Sequence, residues 1–124
     1  MRPLFAFALA ATIVTAPALA RDAKRVPDAT PDGKAVSCIP LISIQSSHVR
    51  SDDVIDFEMK GGKVYRNTLP QSCPSLGFEQ HFSYATSLSQ LCSTDIINVF
   101  TTSPPMRGPS CGLGQFQPVK LTPR

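Results

Sequence analysis

Tryptophan is absent from the chain of 124 residues, and tyrosine occurs only twice. Close cysteine pairs are missing as well: none of the four cysteines forms a CxxC, so neither a thioredoxin-like redox motif nor a cysteine zinc ribbon has a sequence basis. There is no phosphate-binding glycine loop, no GxGxxG and no HExxH, which removes the common nucleotide-binding and metalloprotease signatures. A strong charge of either sign is lacking too. The formal net charge is +3, too small to make nucleic acid the expected partner. Twelve prolines and seven glycines argue against long helices and for a chain punctuated by turns.

An apolar run occurs once, at the start. MRPLFAFALAATIVTAPALA carries Arg2, then apolar residues from Leu4 to Val14, then Ala18-Leu19-Ala20. This is the order of a secretory leader, with a positive end, a short apolar stretch and small residues at the cleavage site. The run is too short for a stable membrane span, which needs about 20 apolar residues. Residues 1–20 are therefore expected to be a signal peptide, with Arg21 beginning the mature chain. A lipid anchor would require cysteine directly after the cleavage site, and the first is Cys38. The expected location is periplasmic or secreted, with no membrane anchor after cleavage.

RDAKRVPDATPDGKAV, residues 21–36, mixes both charges with Pro27, Pro31 and Gly33 and shows no apolar periodicity. Such a segment has little to bury against its ordering entropy, and it reads as a disordered spacer. The folded part is expected over 37–121 as one β-rich domain, with 122–124 as a tail. At that size a core by itself is marginal. Four cysteines in an oxidising compartment then point to two structural disulfides. Three pairings are possible; the one favoured joins Cys73 to Cys92 across the least regular stretch and Cys38 to Cys111 from first strand to last.

The strongest local pattern is VIDFEMKGGKVYRNTL, residues 54–69. Ile55, Phe57 and Met59 alternate with Asp56, Glu58 and Lys60, as in a half-buried strand. Gly61-Gly62 permits a turn, and Val64 to Leu69 returns as the partner of a hairpin. A bulged turn aligns Tyr65 with Met59, Leu69 with Ile55 and Arg66 with Glu58, and leaves Asn67 facing Phe57. Further strands are expected at Leu41 to Val49, at Asp95 to Thr102 in a central position, and at Leu113 to Leu121 with Pro118 marking an edge or bulge. Phe78 to Ala85 is ambiguous: Phe78, Phe82 and Ala85 fit a helix and Phe78, Phe82 and Tyr84 a strand face, with the serine and threonine around them weakening the helix. The fold class is mainly β: a small disulfide-stapled barrel or sandwich of five to six short strands.

The segments CIPLISI, DFEMKGGKVYRNTLPQSCPSL, QLCSTDIINV and SCGLGQF together resemble a family of small secreted proteins of Gram-negative bacteria defined only as a domain of unknown function. The likeness covers about residues 38 to 118 and is most specific in GGKVYRNTLPQSCPSL. It implies export, a compact domain and four cysteines, and brings no activity to any residue.

Candidate chemistry is sparse. His48 stands near Ser46, Ser47 and Asp52, but neighbours on a strand face opposite ways and no glycine elbow presents a serine. His81 with Glu79 and Asp95, or with His48, lacks the spacing of a metal pair; Met59 and Met106 would extend a copper site, yet Met59 is needed in the hairpin core. Asp52, Asp53, Asp56 and Glu58 form an acidic cluster. Glycosidase chemistry would need two such groups about 5 to 9 Å apart in a cleft, whereas an exposed strand face matched by Lys60, Lys63 and Arg66 accounts for them directly. SPPMRGPSC, residues 103–111, reads as a proline-stiffened, Cys-tethered loop of the kind with which an inhibitor offers bait to a protease. No catalytic, metal or cofactor residue is assigned. The leading expectation is a non-enzymatic module binding a protein or envelope component; a protease inhibitor using the 103–111 loop is second, and a metal-binding protein or hydrolase built on His48 or His81 third.

Overall fold

A computed structural model describes Ala10 and residues 26–86, 88–102 and 105–122. The expected leader lies outside the described residues apart from Ala10, as do 21–25 of the spacer and 123–124 of the tail. Ten strands are present among the described residues: β1 (Ala29–Pro31), β2 (Cys38–Pro40), β3 (Ile44–Val49), β4 (Val54–Met59), β5 (Val64–Thr68), β6 (Phe82–Tyr84), β7 (Gln90–Cys92), β8 (Ile96–Thr102), β9 (Pro105–Gly112) and β10 (Phe116–Leu121). A 3-10 turn spans Leu41–Ser43, and a single helical turn, α1, spans Leu76–Glu79. The strands form three antiparallel sheets ordered β1-β10-β5-β4-β3, β2-β7 and β6-β8-β9. Each sheet is open, so the fold is sandwich-like rather than a closed barrel. The strand count exceeds five to six because β1, β2, β6 and β7 have three residues each, too few for an alternating pattern to register.

All three sheets share one core. Ile55, Phe57 and Met59 of β4 and Phe116 of β10 meet Ile97 and Val99 of β8, with Ile39 and Leu91 from the β2-β7 ribbon. The Phe57 ring packs edge-on against Phe116 at 5.6 Å and against Phe82 of β6 at 6.4 Å, joining the five-stranded to the three-stranded sheet. β8 is central in its sheet, as its apolar content implied. β10 is not an edge despite Pro118: β1 covers its outer side, and the Pro118 carbonyl accepts from Asp32 N–H at 2.8 Å.

The β4-β5 register differs from the bulged alignment. Asp56 faces Arg66, Phe57 faces Tyr65 and Ile55 faces Asn67. A loop of Lys60, Gly61 and Gly62 closes the hairpin: Met59 N–H donates to Lys63 O at 2.7 Å and Gly62 N–H to Met59 O at 3.0 Å. Both glycines have φ near +90°, at +94° and +93°, a conformation that a side chain would resist. This register still turns Asn67 inward, and its amide is satisfied there. Asn67 Nδ2 donates to Gly114 O at 2.7 Å, and Gly114 N–H donates to Asn67 Oδ1 at 2.8 Å. A Cβ at residue 114 would collide with the Thr68 carbonyl, so glycine is required for this approach.

Both disulfides exist, with a different pairing from the one expected. Cys38 joins Cys92, and Cys73 joins Cys111. The first pair lies directly across the β2-β7 ladder, because the strand that carries Cys38 pairs with β7 and not with the strand that carries Cys111. The second ties the segment before α1 to β9. Their sequence separations of 54 and 38 each imply about 4 kcal/mol of loop-closure stabilisation.

Two further segments are more ordered than composition implied. Ala29–Pro31 of the expected spacer pairs with β10, and Val36 exchanges backbone bonds with Phe116 at 2.8 and 2.9 Å. The segment 103–111 is not an irregular loop: 105–111 run within β9, in register with β8. Residues 103 and 104 lie outside the described residues, and Met106 of the copper reading sits on β9, where its backbone alone is described. Among the described residues, no helix is long and apolar enough to cross a membrane.

Candidate functional site

Residues of β3, β4 and β5 that point away from the core gather the polar side chains of the domain. Cross-strand register sets Ser46 beside Glu58, His48 beside Asp56, and Asp56 beside Arg66. Arg50, just beyond β3, leans over the same face. Two linked groups result, one buried and one open to solvent.

Asp56 forms the buried group and is 0% exposed, contrary to its reading as part of an exposed strand face. Arg66 grips it with both ends of its fork, Nε to Oδ1 at 2.8 Å and Nη2 to Oδ2 at 3.0 Å. Arg50 Nε adds a bond to Oδ2 at 3.0 Å. Arg66 Nη2 also donates to the Pro27 carbonyl at 2.9 Å, so the segment leading into β1 helps to roof the carboxylate. Bidentate, charge-assisted bonds of this kind hold position firmly, while their net contribution is reduced by the cost of removing the charges from water.

Ser46, His48 and Glu58 form the open group. Ser46 Oγ donates to Glu58 Oε2 at 3.1 Å and lies 3.2 Å from His48 Nε2, and Nε2 is itself 3.2 Å from Oε2. The side chains of His48 and Glu58 are 44% and 40% exposed. Hydrogen bonding to His48, then to Ser46, holds the Glu58 carboxyl below its ordinary range, outweighing the opposing effect of desolvation. Ser46 is the serine that shares a face with His48; Ser47 pairs with Phe57 on the other face. Even so, one ring nitrogen touches both serine and carboxylate. A serine-histidine-acid relay needs the two partners on opposite ring nitrogens, so this is not a catalytic relay.

Asp52, Asp53 and Asp95 are taken up structurally. Asp52 Oδ1 accepts from Gly77 N–H at 2.8 Å and fixes α1, and Asp53 Oδ1 accepts from Ser51 Oγ at 2.7 Å. Asp95 Oδ2 accepts from Cys92 N–H at 2.7 Å. Lys63 stands 5.0 Å over the Tyr65 ring. His81 is exposed ahead of β6, in a different sheet from His48, with its carbonyl bonded to Phe100 N–H at 2.9 Å. Among the described residues, no three His, Cys, Asp or Glu side chains converge as metal ligands.

Away from the polar face, α1 presents Phe78 at 86% exposure. Its backbone is closely held. Leu76 is buried, Ser75 and Gln80 at either end adopt left-handed φ of 72° and 58°, and Cys73 just before it is buried in the disulfide to β9. Sequence reading missed both the Asp56 cluster and the Phe78 corner. An alternating pattern says which face a residue occupies and not what covers that face, and the expected register set Arg66 beside Glu58 where the structure sets it beside Asp56. No family model, curated protein or solved structure matches the chain.

Proposed function

We propose that the protein is an exported, non-enzymatic binding module of the periplasm or extracellular space, and that it engages a protein partner through the α1 corner. The observation that carries this reading is Phe78, a large aromatic side chain 86% exposed on a backbone turn clamped by a disulfide and by Asp52. An aromatic held in place before binding loses little entropy when it enters an apolar pocket, which is the usual character of an interface anchor. Phe100, also exposed, is attached to the same corner through its bond to His81. Export is supported by the leader-like residues 1–20 and by the use of all four cysteines in disulfides.

Affinity capture from periplasmic extract, with the oxidised mature protein as bait, tests the reading. A partner held by the wild type and by His48→Ala, but lost with Phe78→Ala, is the expected result. Retention by Phe78→Ala would overturn the assignment of the corner. A hydrolytic activity that disappears with His48→Ala or His81→Ala would overturn the non-enzymatic reading.

A further inference from the structure

We propose that Ser46, His48 and Glu58 form a surface site for one divalent transition-metal ion, with Cu(II) preferred over Zn(II). The inference is independent of the α1 corner.

The three donor atoms make a nearly equilateral triangle with sides of 3.1, 3.2 and 3.2 Å. Ligand atoms about 2.1 Å from a common ion stand about 3.0 Å apart at octahedral angles and about 3.4 Å apart at tetrahedral angles. The observed triangle falls between these limits, so the separations of the three donors match those around one ion on the solvent side. Water completes the coordination, for which the exposure of His48 and Glu58 leaves room.

The donors sit on strands and not on loops. Ser46 and His48 are two residues apart on β3 and share a face, and Glu58 lies opposite Ser46 on β4. Imidazole with one carboxylate suits copper and zinc, and affinity for such a set rises to Cu(II) and falls again at Zn(II). Binding requires the Nε2 lone pair, so the ion takes the place of the hydrogen bond between Nε2 and Glu58, and Ser46 contributes a neutral hydroxyl. Neighbouring charge limits the affinity. Asp56, next to His48 across the strands, is already matched by Arg50 and Arg66, which leaves Glu58 as the one carboxylate available to the ion. A dissociation constant in the micromolar range is expected.

Titration of the oxidised mature protein with copper sulfate and zinc sulfate, followed by calorimetry and by competition with a chromophoric chelator, tests the site. One ion per chain is expected. His48→Ala and Glu58→Gln should each weaken binding at least tenfold and Ser46→Ala severalfold, while His81→Ala and Phe78→Ala leave it unchanged. Electron paramagnetic resonance of the copper form should show a single coordinated imidazole, lost in His48→Ala. Absence of saturable binding, or equal affinity in wild type and His48→Ala, would overturn the proposal. A loss with His81→Ala as large as that with His48→Ala would do the same.

Discussion

Asp56 and Asn67 sit on neighbouring strands, are both 0% exposed, and face opposite sides of the same sheet. Asn67 is paired with the backbone of Gly114, a partner with no rotamers to freeze and no charge to desolvate. Asp56 is paired with two long, flexible, charged side chains. The difference shows two ways of closing a small β domain. The core side uses an amide as a substitute ladder that ties β5 to the segment before β10. The outer side uses ions to draw Arg50, Arg66 and the Pro27 carbonyl over a face that alternation alone would leave wet.

The largest expected effect lies on the Asn67 side. Gly114→Ala drives a Cβ into the Thr68 carbonyl and breaks both amide bonds, and should cost more than about 4 kcal/mol in denaturant unfolding. Asn67→Ala removes the bonds without the collision and should cost about 2 kcal/mol. Equal losses would mean that the close backbone approach matters less than the amide. On the outer side, Asp56→Ala leaves two guanidinium groups partly buried without their anion and should cost about 3 kcal/mol. Replacing Arg50, Asp56 and Arg66 together by apolar residues of similar size should recover most of that loss; failure to recover would show that the ionic cluster stabilises the fold beyond satisfying its own charges.

The smallest effect concerns the open edge of the same face. Glu58 titrates below its ordinary value in the folded state because of His48 and Ser46. Its contribution is therefore fully present above the unfolded carboxyl pKa and is lost as pH falls through the depressed folded value. The stability difference between wild type and Glu58→Gln should shrink on acidification through that window and stay flat above it. His48→Ala should remove most of this slope while changing stability at neutral pH by less than about 1 kcal/mol, as should His81→Ala. A slope unchanged in His48→Ala would place the cause elsewhere.

The legible parts of the chain were those governed by local rules. Alternation from Ile55 to Met59 located β4, the paired glycines located the hairpin turn, and the apolar run after Asp95 located a central strand. The turn length was not legible, since Gly61-Gly62 suits several loops, and the choice rests on which register lets both Asp56 and Asn67 find partners. The polar site was partly legible. His48 and Glu58 were visible as residues, but their meeting depends on the β3-β4 register, and Ser46 was set aside with Ser47 although it alone shares the His48 face.

By itself, the sequence determined that this is a turn-rich, mainly β chain whose four cysteines pair. Period-two hydrophobicity and cysteine number act through neighbours along the chain, or through the count alone. Only the tertiary structure decided which cysteines meet, that β1 and Val36 lie along β10, that 105–111 form a strand, and that Asp56 is buried between two arginines. The disulfides and the contacts along β10 join residues distant along the chain, while β9 and the Asp56 cluster join near neighbours whose register and covering depend on how whole sheets pack. Local pattern is the same whether a polar face meets water or a guanidinium, and the choice between them is made by the core that fixes the sheets in place.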